Sequence, residues 1–166
     1  KTKKLKENES YVRHALLLSN KTMNMVCYLN LDKKIRELFL LPELVQRLVD
    51  MLLNVVSKLV GSKGLSLKVD NPEQYHFRPK IMLKDLCGIM VNFAEEKTFQ
   101  RAIAGSGYYL DETFQKLVST CEKLDLLDAS GLLKLEGLVK GVSEHVSDVK
   151  DLDYLTSLAE DEKPNY

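Results

Sequence analysis

Three cysteines, Cys27, Cys87 and Cys121, and three histidines, His14, His76 and His145, are the side chains with which this 166-residue chain could do nucleophilic or metal chemistry. A thiol attacks or ligates only as the thiolate, which asks for a histidine or another cation beside it. No local signature pairs any of the cysteines with any of the histidines. The three thiols are odd in number and far apart in sequence, and they fall on apolar helical faces, which is the pattern of reduced core cysteines rather than of a disulfide framework or metal site. Gly105–Ser106–Gly107 could cradle a phosphate only after a strand and before a lysine. It has neither, and reads as a plain flexible turn. The carboxylates Glu95–Glu96 and Glu160–Asp161–Glu162 fall at helix ends and in the tail, where they solvate a surface. His76, between Tyr75 and Phe77, reads as a packed or surface histidine. The sequence therefore nominates no catalytic residue, no cofactor-binding residue and no metal ligand.

Composition explains what these residues are mounted on. The chain is 45% hydrophobic, with 8 glycines, 4 prolines and no tryptophan. Helix formers dominate and alternating strand patterns are nearly missing, so the expected class is all-α. The zero net charge hides an asymmetry: residues 1–80 carry 15 Lys and Arg against 8 Asp and Glu, and residues 81–166 carry 9 against 16. No concentrated basic face results, so no nucleic-acid partner is expected. No apolar run is long enough to span a bilayer, so no membrane partner is expected either. Reduced thiols suit a reducing compartment, and the two glycosylation-type triplets at Asn8 and Asn20 then carry no consequence.

Two prolines frame the centre of the chain. Between Pro42 and Gly61 the polar positions Glu43, Gln46, Arg47, Asp50, Asn54, Ser57 and Lys58 recur every three to four residues, which predicts a helix with a narrow wet stripe. Pro42 suits its first position and Gly61 a left-handed stop. The run Leu38 to Leu41 before it reads as a dry corner between helices. From Ser62 to Arg78 the chain is least helical, and its alternating Leu65, Leu67 and Val69 with Tyr75 and Phe77 predict an extended connector strapped across the helices, with Asn71–Pro72 as a turn initiator. Pro79 then opens a second buried helix running to Phe93.

Around this centre a helix is expected from about Glu7 to Leu29, with a short one from Asp32 to Phe39 after it. Another short one should run from Thr98 to Ala104, then an amphipathic one capped by Asp111 with Phe114, Leu117, Val118, Cys121 and Leu124 inward. A last helix should start at Asp128 or Ser130 and run through Val149, weakened by Gly137 and Gly141 at roughly 1 kcal/mol each relative to Ala. The whole reads as an irregular armadillo-like or HEAT-like antiparallel helical stack. Residues 1–159 form one helical core segment, and residues 160–166 an acidic linker cut short.

Specific residues carry a family resemblance. The runs Phe39–Leu–Leu–Pro–Glu–Leu–Val–Gln–Arg–Leu–Val–Asp–Met–Leu52, Leu59–Val–Gly–Ser–Lys63, Leu67–Lys–Val–Asp–Asn–Pro–Glu–Gln–Tyr–His–Phe–Arg–Pro–Lys80 and Ala102–Ile–Ala104 resemble the ubiquitin conjugation factor E4 family, the Ufd-two-like elongation factors, over about residues 38–115. The residues that match its motifs are Phe39, Pro42, Arg47, Gly61, Asn71, Pro72, Tyr75, Phe77, Pro79 and Tyr109. Two positions depart: Ser62 stands where the family usually has proline, and Gly105–Ser106–Gly107–Tyr108 where it has a charged turn, leaving only Tyr109 in common there. The resemblance implies the C-terminal part of the helical core of such a factor, without the U-box that would follow an acidic linker. It implies a non-catalytic scaffold within a full-length ubiquitin-protein transferase that acts without a covalent intermediate in ubiquitin-dependent degradation. The implied partners are a ubiquitin-conjugating enzyme (through the missing U-box), an AAA unfoldase and an already ubiquitinated substrate; the implied location is cytoplasm and nucleus. Two other readings compete: a free-standing helical-repeat adaptor for transport or tethering, and a Cys-dependent enzyme with an exposed, fast-reacting thiol.

Overall fold

Both framing prolines do what their chemistry asks: in a computed structural model of the chain each is the first residue of a helix. The structure describes residues 2–61, 64–65 and 68–161, with side chains to residue 148. In order, the elements are α1 (Lys3–Leu29), α2 (Lys33–Phe39), α3 (Pro42–Val60), a 3-10 turn (Pro72–Tyr75), α4 (Pro79–Asn92), α5 (Lys97–Ala104), α6 (Asp111–Lys123) and α7 (Ala129–Asp161). Among the described residues there is no strand, and the class is all-α, arranged as a stack of helices. The long last helix continues through Asp161, past Val149 where its sequence pattern weakens. Of the expected tail linker, residues 162–166 lie outside the described residues, as do Ser62, Lys63, Ser66 and Leu67 of the connector.

The core follows from which helices are wrapped. α3 turns Val45, Leu48, Val49, Leu52, Leu53, Val56 and Leu59 inward at the three-four spacing. α4 buries Met82, Leu83, Leu86, Cys87, Ile89 and Met90, apolar on more than one side because α1, α3 and α7 all lie against it. Three phenylalanines knit the short helices to this centre. Phe93 at the end of α4 stacks on Phe99 of α5 with ring centroids 4.9 Å apart, and receives the edge of Phe39 from α2 at 6.4 Å. Aromatic pairs in these geometries add about 0.5–1.5 kcal/mol beyond the area they bury.

Buried polar side chains then fix the angles. Asn30, wholly buried at the end of α1, accepts a 2.6 Å hydrogen bond on Oδ1 from Asn92 Nδ2 of α4. Its backbone carbonyl accepts from Arg36 Nη1 of α2 at 2.9 Å, so one residue ties three helices. On α3, Asp50 accepts from Gln46 Nε2 at 2.9 Å and from Ser106 Oγ at 2.6 Å. Ser106 also receives the backbone N–H of Tyr108 and is 8% exposed. The Gly105–Ser106–Gly107 turn is thus pinned to α3, where sequence alone suggested flexibility.

Other expectations need correction on physical grounds. Leu38 and Leu41 are 58% and 47% exposed, so the corner before Pro42 is wet; of the four apolar residues there only Phe39 and Leu40 turn partly inward. Asp111 does not cap α6 but is its first residue, with Leu110 at the cap position, and its carboxylate takes the Tyr109 hydroxyl at 3.3 Å instead. Asp128 does cap α7, its Oδ1 accepting from Gly131 N at 2.7 Å. Gly61 ends α3 in an extended conformation, φ −64° and ψ 170°, rather than a left-handed one. Glycine is suited there for space: a Cβ would stand 2.7 Å from the Ser57 carbonyl oxygen.

The α7 glycines differ from each other. A Cβ on Gly137 meets nothing within 4 Å, whereas one on Gly141 would fall 2.7–2.9 Å from the Gln100 side-chain amide. That amide is buried and held by a 2.8 Å bond from Nε2 to the Ala94 carbonyl, which stepping aside would break. Gly137→Ala should therefore raise stability by up to about 1 kcal/mol through helix propensity. Gly141→Ala should lower it by about 1 kcal/mol or more through displacement of the buried amide, and urea denaturation of the two variants measures both signs.

Candidate functional site

In the connector between α3 and α4 the described residues carry two of the three positive-φ non-glycine residues of the described chain. Gly64 N bonds to Gly61 O at 3.1 Å and Leu65 N to Leu59 O at 3.0 Å, which turns the chain back over the end of α3. Lys68 points to solvent and Val69 partly inward, as alternation predicts. At Asn71 the extended path ends. Asn71 and His76 both take positive φ, 52° and 53°, and bracket the 3-10 turn that Pro72 opens. Asparagine tolerates this left-handed region well, and proline fits the first position of the turn that follows. Phe77 N closes the knuckle on Pro72 O at 3.0 Å.

That knuckle is strapped to α1. Asn20 Nδ2 donates to the His76 carbonyl at 2.7 Å, and the 3-10 turn packs along the helix. Between the two lies an apolar groove of about 710 Å³, with Leu5, Val12 and Leu16 on the α1 wall and Val69, Tyr75 and Phe77 on the connector wall. A second apolar feature of α1 starts at Tyr11, on the rim of this groove, and runs away from it along the helix. Tyr11, Leu18, Met25 and Tyr28, spaced by seven, seven and three, form one stripe and are 75%, 68%, 53% and 73% exposed. Of the 27 residues of α1 only Met23 and Val26 are buried among its apolar positions.

The motif residues named from sequence do not converge on one cleft. Asn71, Pro72, Tyr75 and Phe77 build the knuckle, and Pro79 starts the helix after it. Phe39 joins α2 to α4, Pro42 starts α3, Gly61 ends it, and Arg47 is exposed on α3. Tyr109 lies apart, tilted against Phe114 at 5.2 Å, and burial pushes its hydroxyl pKa up. Apart from Arg47, they are joints between elements, deciding where one helix ends or how the next is aimed.

The groups with reactive potential are placed just as separately. His14 Nδ1 lies 2.7 Å from the Ser10 carbonyl one turn back, and His145 Nδ1 lies 3.9 Å from Asp148. Cys27 is half-buried beside α4, its thiol pKa raised by burial and then by Asp85. Cys87 and Cys121 are both buried and meet each other, Sγ to Sγ 3.2 Å, which no sequence spacing signalled. Among the described residues no three His, Cys, Asp or Glu side chains gather as a metal would need. Sequence reasoning also missed Asn30, Asn92, Gln100 and Ser106, because a polar residue on an apolar face looks the same in sequence whether it is paired or solvated.

A family model described as the ubiquitin elongating factor core matches residues 1–143, from α1 well into α7. The chain belongs to that family. Membership thus extends beyond the 38–115 stretch whose motifs are recognisable by eye. Among relatives, the chain is similar to a probable ubiquitin conjugation factor E4 of Arabidopsis thaliana, 36% identical over 115 residues, which is 68% of this chain and 11% of that protein. It is similar to the ubiquitin conjugation factor E4 of Schizosaccharomyces pombe, 30% identical over 126 residues, 75% of this chain and 12% of that protein. Against the E4 ubiquitin-protein ligase UFD2 of Saccharomyces cerevisiae it is 41% identical over 73 residues, 44% of this chain and 8% of that protein. The chain spans about a tenth of the length of these elongating factors.

The knuckle's dependence on one side chain is testable. Asn20→Ala removes the bond to the His76 carbonyl and should speed limited proteolysis within residues 62–78 several-fold while moving the global unfolding midpoint little, because local opening draws on local contacts. Mass spectrometry of the first cleavage products reads the effect.

Proposed function

We propose that this chain serves as a scaffold segment of a ubiquitin chain elongation factor, setting the geometry in which other parts of such a protein extend ubiquitin chains on substrates bound for degradation. One observation carries the scaffold reading: all the family-motif residues but Arg47 sit at helix starts, helix ends and inter-helix joints, so what they specify is relative orientation. The ubiquitin part rests on family membership and on the names its relatives bear. In this reading a ubiquitin-conjugating enzyme is recruited by a U-box outside the chain, and an AAA unfoldase and the ubiquitinated substrate are the other partners, in cytoplasm and nucleus. The segment's contribution is positional: a reacting group held about 1 Å from its place loses on the order of a hundredfold in rate.

Exchanging this chain for the corresponding segment of the Schizosaccharomyces pombe relative tests the proposal. The chimera should extend ubiquitin chains in a reconstituted reaction, and the isolated chain should not. Phe93→Ala in the chimera, which empties the aromatic joint at a cost of about 3–5 kcal/mol, should abolish extension at temperatures where the parent is active. Ubiquitin transfer by the isolated chain would overturn the assignment.

A further inference from the structure

Among the described residues, Cys87 on α4 and Cys121 on α6 are the pair of reactive groups that the fold, and not the sequence, brings together. Their sulfurs are 3.2 Å apart, and the residues are 0% and 1% exposed. We propose that Cys87 and Cys121 are a latent disulfide, a modification site at which a hydroperoxide locks α4 to α6. Only about 1.2 Å separates the present sulfur distance from the about 2.05 Å of an S–S bond, a closure that side-chain torsions can supply with little backbone movement.

The pair is also chemically differentiated. The hydrogen bond it shares lowers the thiol pKa of Cys121 and raises that of Cys87, with burial acting upward on both. That direction favours Cys121 as the attacking sulfur, and attack by Cys87 would form the same S–S bond, since either sulfur can donate the bond they share. The Cys121 thiolate attacks one oxygen of the hydroperoxide, the O–O bond breaks, the departing alkoxide takes up a proton and leaves as the alcohol, and Cys121 becomes a sulfenic acid. The Cys87 sulfur, already in contact, attacks the Cys121 sulfur; the S–S bond forms, the S–O bond breaks, and hydroxide leaves with the Cys87 proton as water. Two thiols are oxidised and one peroxide is reduced, two electrons on each side. Cys27, half-buried with its thiol pKa pushed up, has no thiol beside it among the described residues.

Burial sets the rate. With both residues enclosed, peroxide reaches Cys121 only when the core opens locally, so the bond forms slowly and is slowly reduced again. It acts as a durable record of oxidising exposure and not as a fast sensor. Once formed it fixes α4, the helix that follows the connector, against α6.

The folded chain is treated with hydrogen peroxide, remaining thiols are alkylated in denaturant, and peptides are mapped. The expected result is a Cys87–Cys121 cross-linked peptide two hydrogens lighter than the reduced pair, with Cys27 alkylated, and a melting temperature raised by several degrees that returns to its starting value with dithiothreitol. Cys87→Ser should remove the cross-link and leave a sulfenic acid on Cys121 that dimedone traps. Cys27→Ala should leave cross-linking unchanged, which keeps the test decisive if the core substitution unfolds the chain. Recovery of Cys87 and Cys121 as free thiols from the oxidised folded protein overturns the proposal, as does a sulfenic acid on Cys121 that persists in the unsubstituted chain.

Discussion

α4 has to be dry on three sides, and most of the structure follows from that demand. α1 lies along one flank, α3 along another and α7 along a third, so Met82, Leu83, Leu86, Cys87, Ile89 and Met90 are buried and Lys80, Ile81 and Lys84 are left on a narrow exposed strip. Such a helix cannot be held by propensity; it is stable only while its neighbours cover it. Polar groups that share its surface must be paired, because an unpaired buried donor or acceptor costs about 1–3 kcal/mol. Asn92 meets this condition through Asn30, and in doing so it fixes the end of α1 at the point where α2 departs. Gly88 meets a related condition by being small: a Cβ there would stand 2.9 Å from the Cys27 sulfur, so α1 crosses α4 closely because glycine is present.

What the sequence conveyed of this was its periodic part. Helices over α3, α4 and α6 could be read because each alternates one apolar and one polar face, and Pro42 and Pro79 marked starts that the structure reproduces. What it did not convey was pairing across distance. Ser106 between two glycines looked free, and only the fold brings Asp50 to it from 56 positions away. The two thiols, 34 positions apart, met for the same reason. Leu38 and Leu41 misled in the opposite sense: an apolar run before a proline suggests an interior corner, yet among the described residues nothing covers either side chain fully. The knuckle at residues 71–77 was half legible. Asn71–Pro72 announced a turn, but the 3-10 geometry, the left-handed His76 and the strap to it from Asn20, 56 positions away, did not show in the sequence.

The distribution of the family-motif residues bears on how the elongating factors are put together. In an enzyme's catalytic region, shared residues converge on the reacting atoms. Here they are spread from the α2–α4 joint, through both ends of α3 and the knuckle, to the turn before α6.

The outward stripe of α1 has a calorimetric consequence. Tyr11, Leu18, Met25 and Tyr28 are already hydrated in the folded chain, as are Leu31, Leu38 and Leu41 beyond them. Unfolding exposes less new apolar surface at these positions than at buried ones. Since heat-capacity change and denaturant sensitivity both scale with the area newly exposed, this chain should unfold with smaller values of each than the average 166-residue domain. Its stability curve is correspondingly flat, falling gently on warming and on cooling alike.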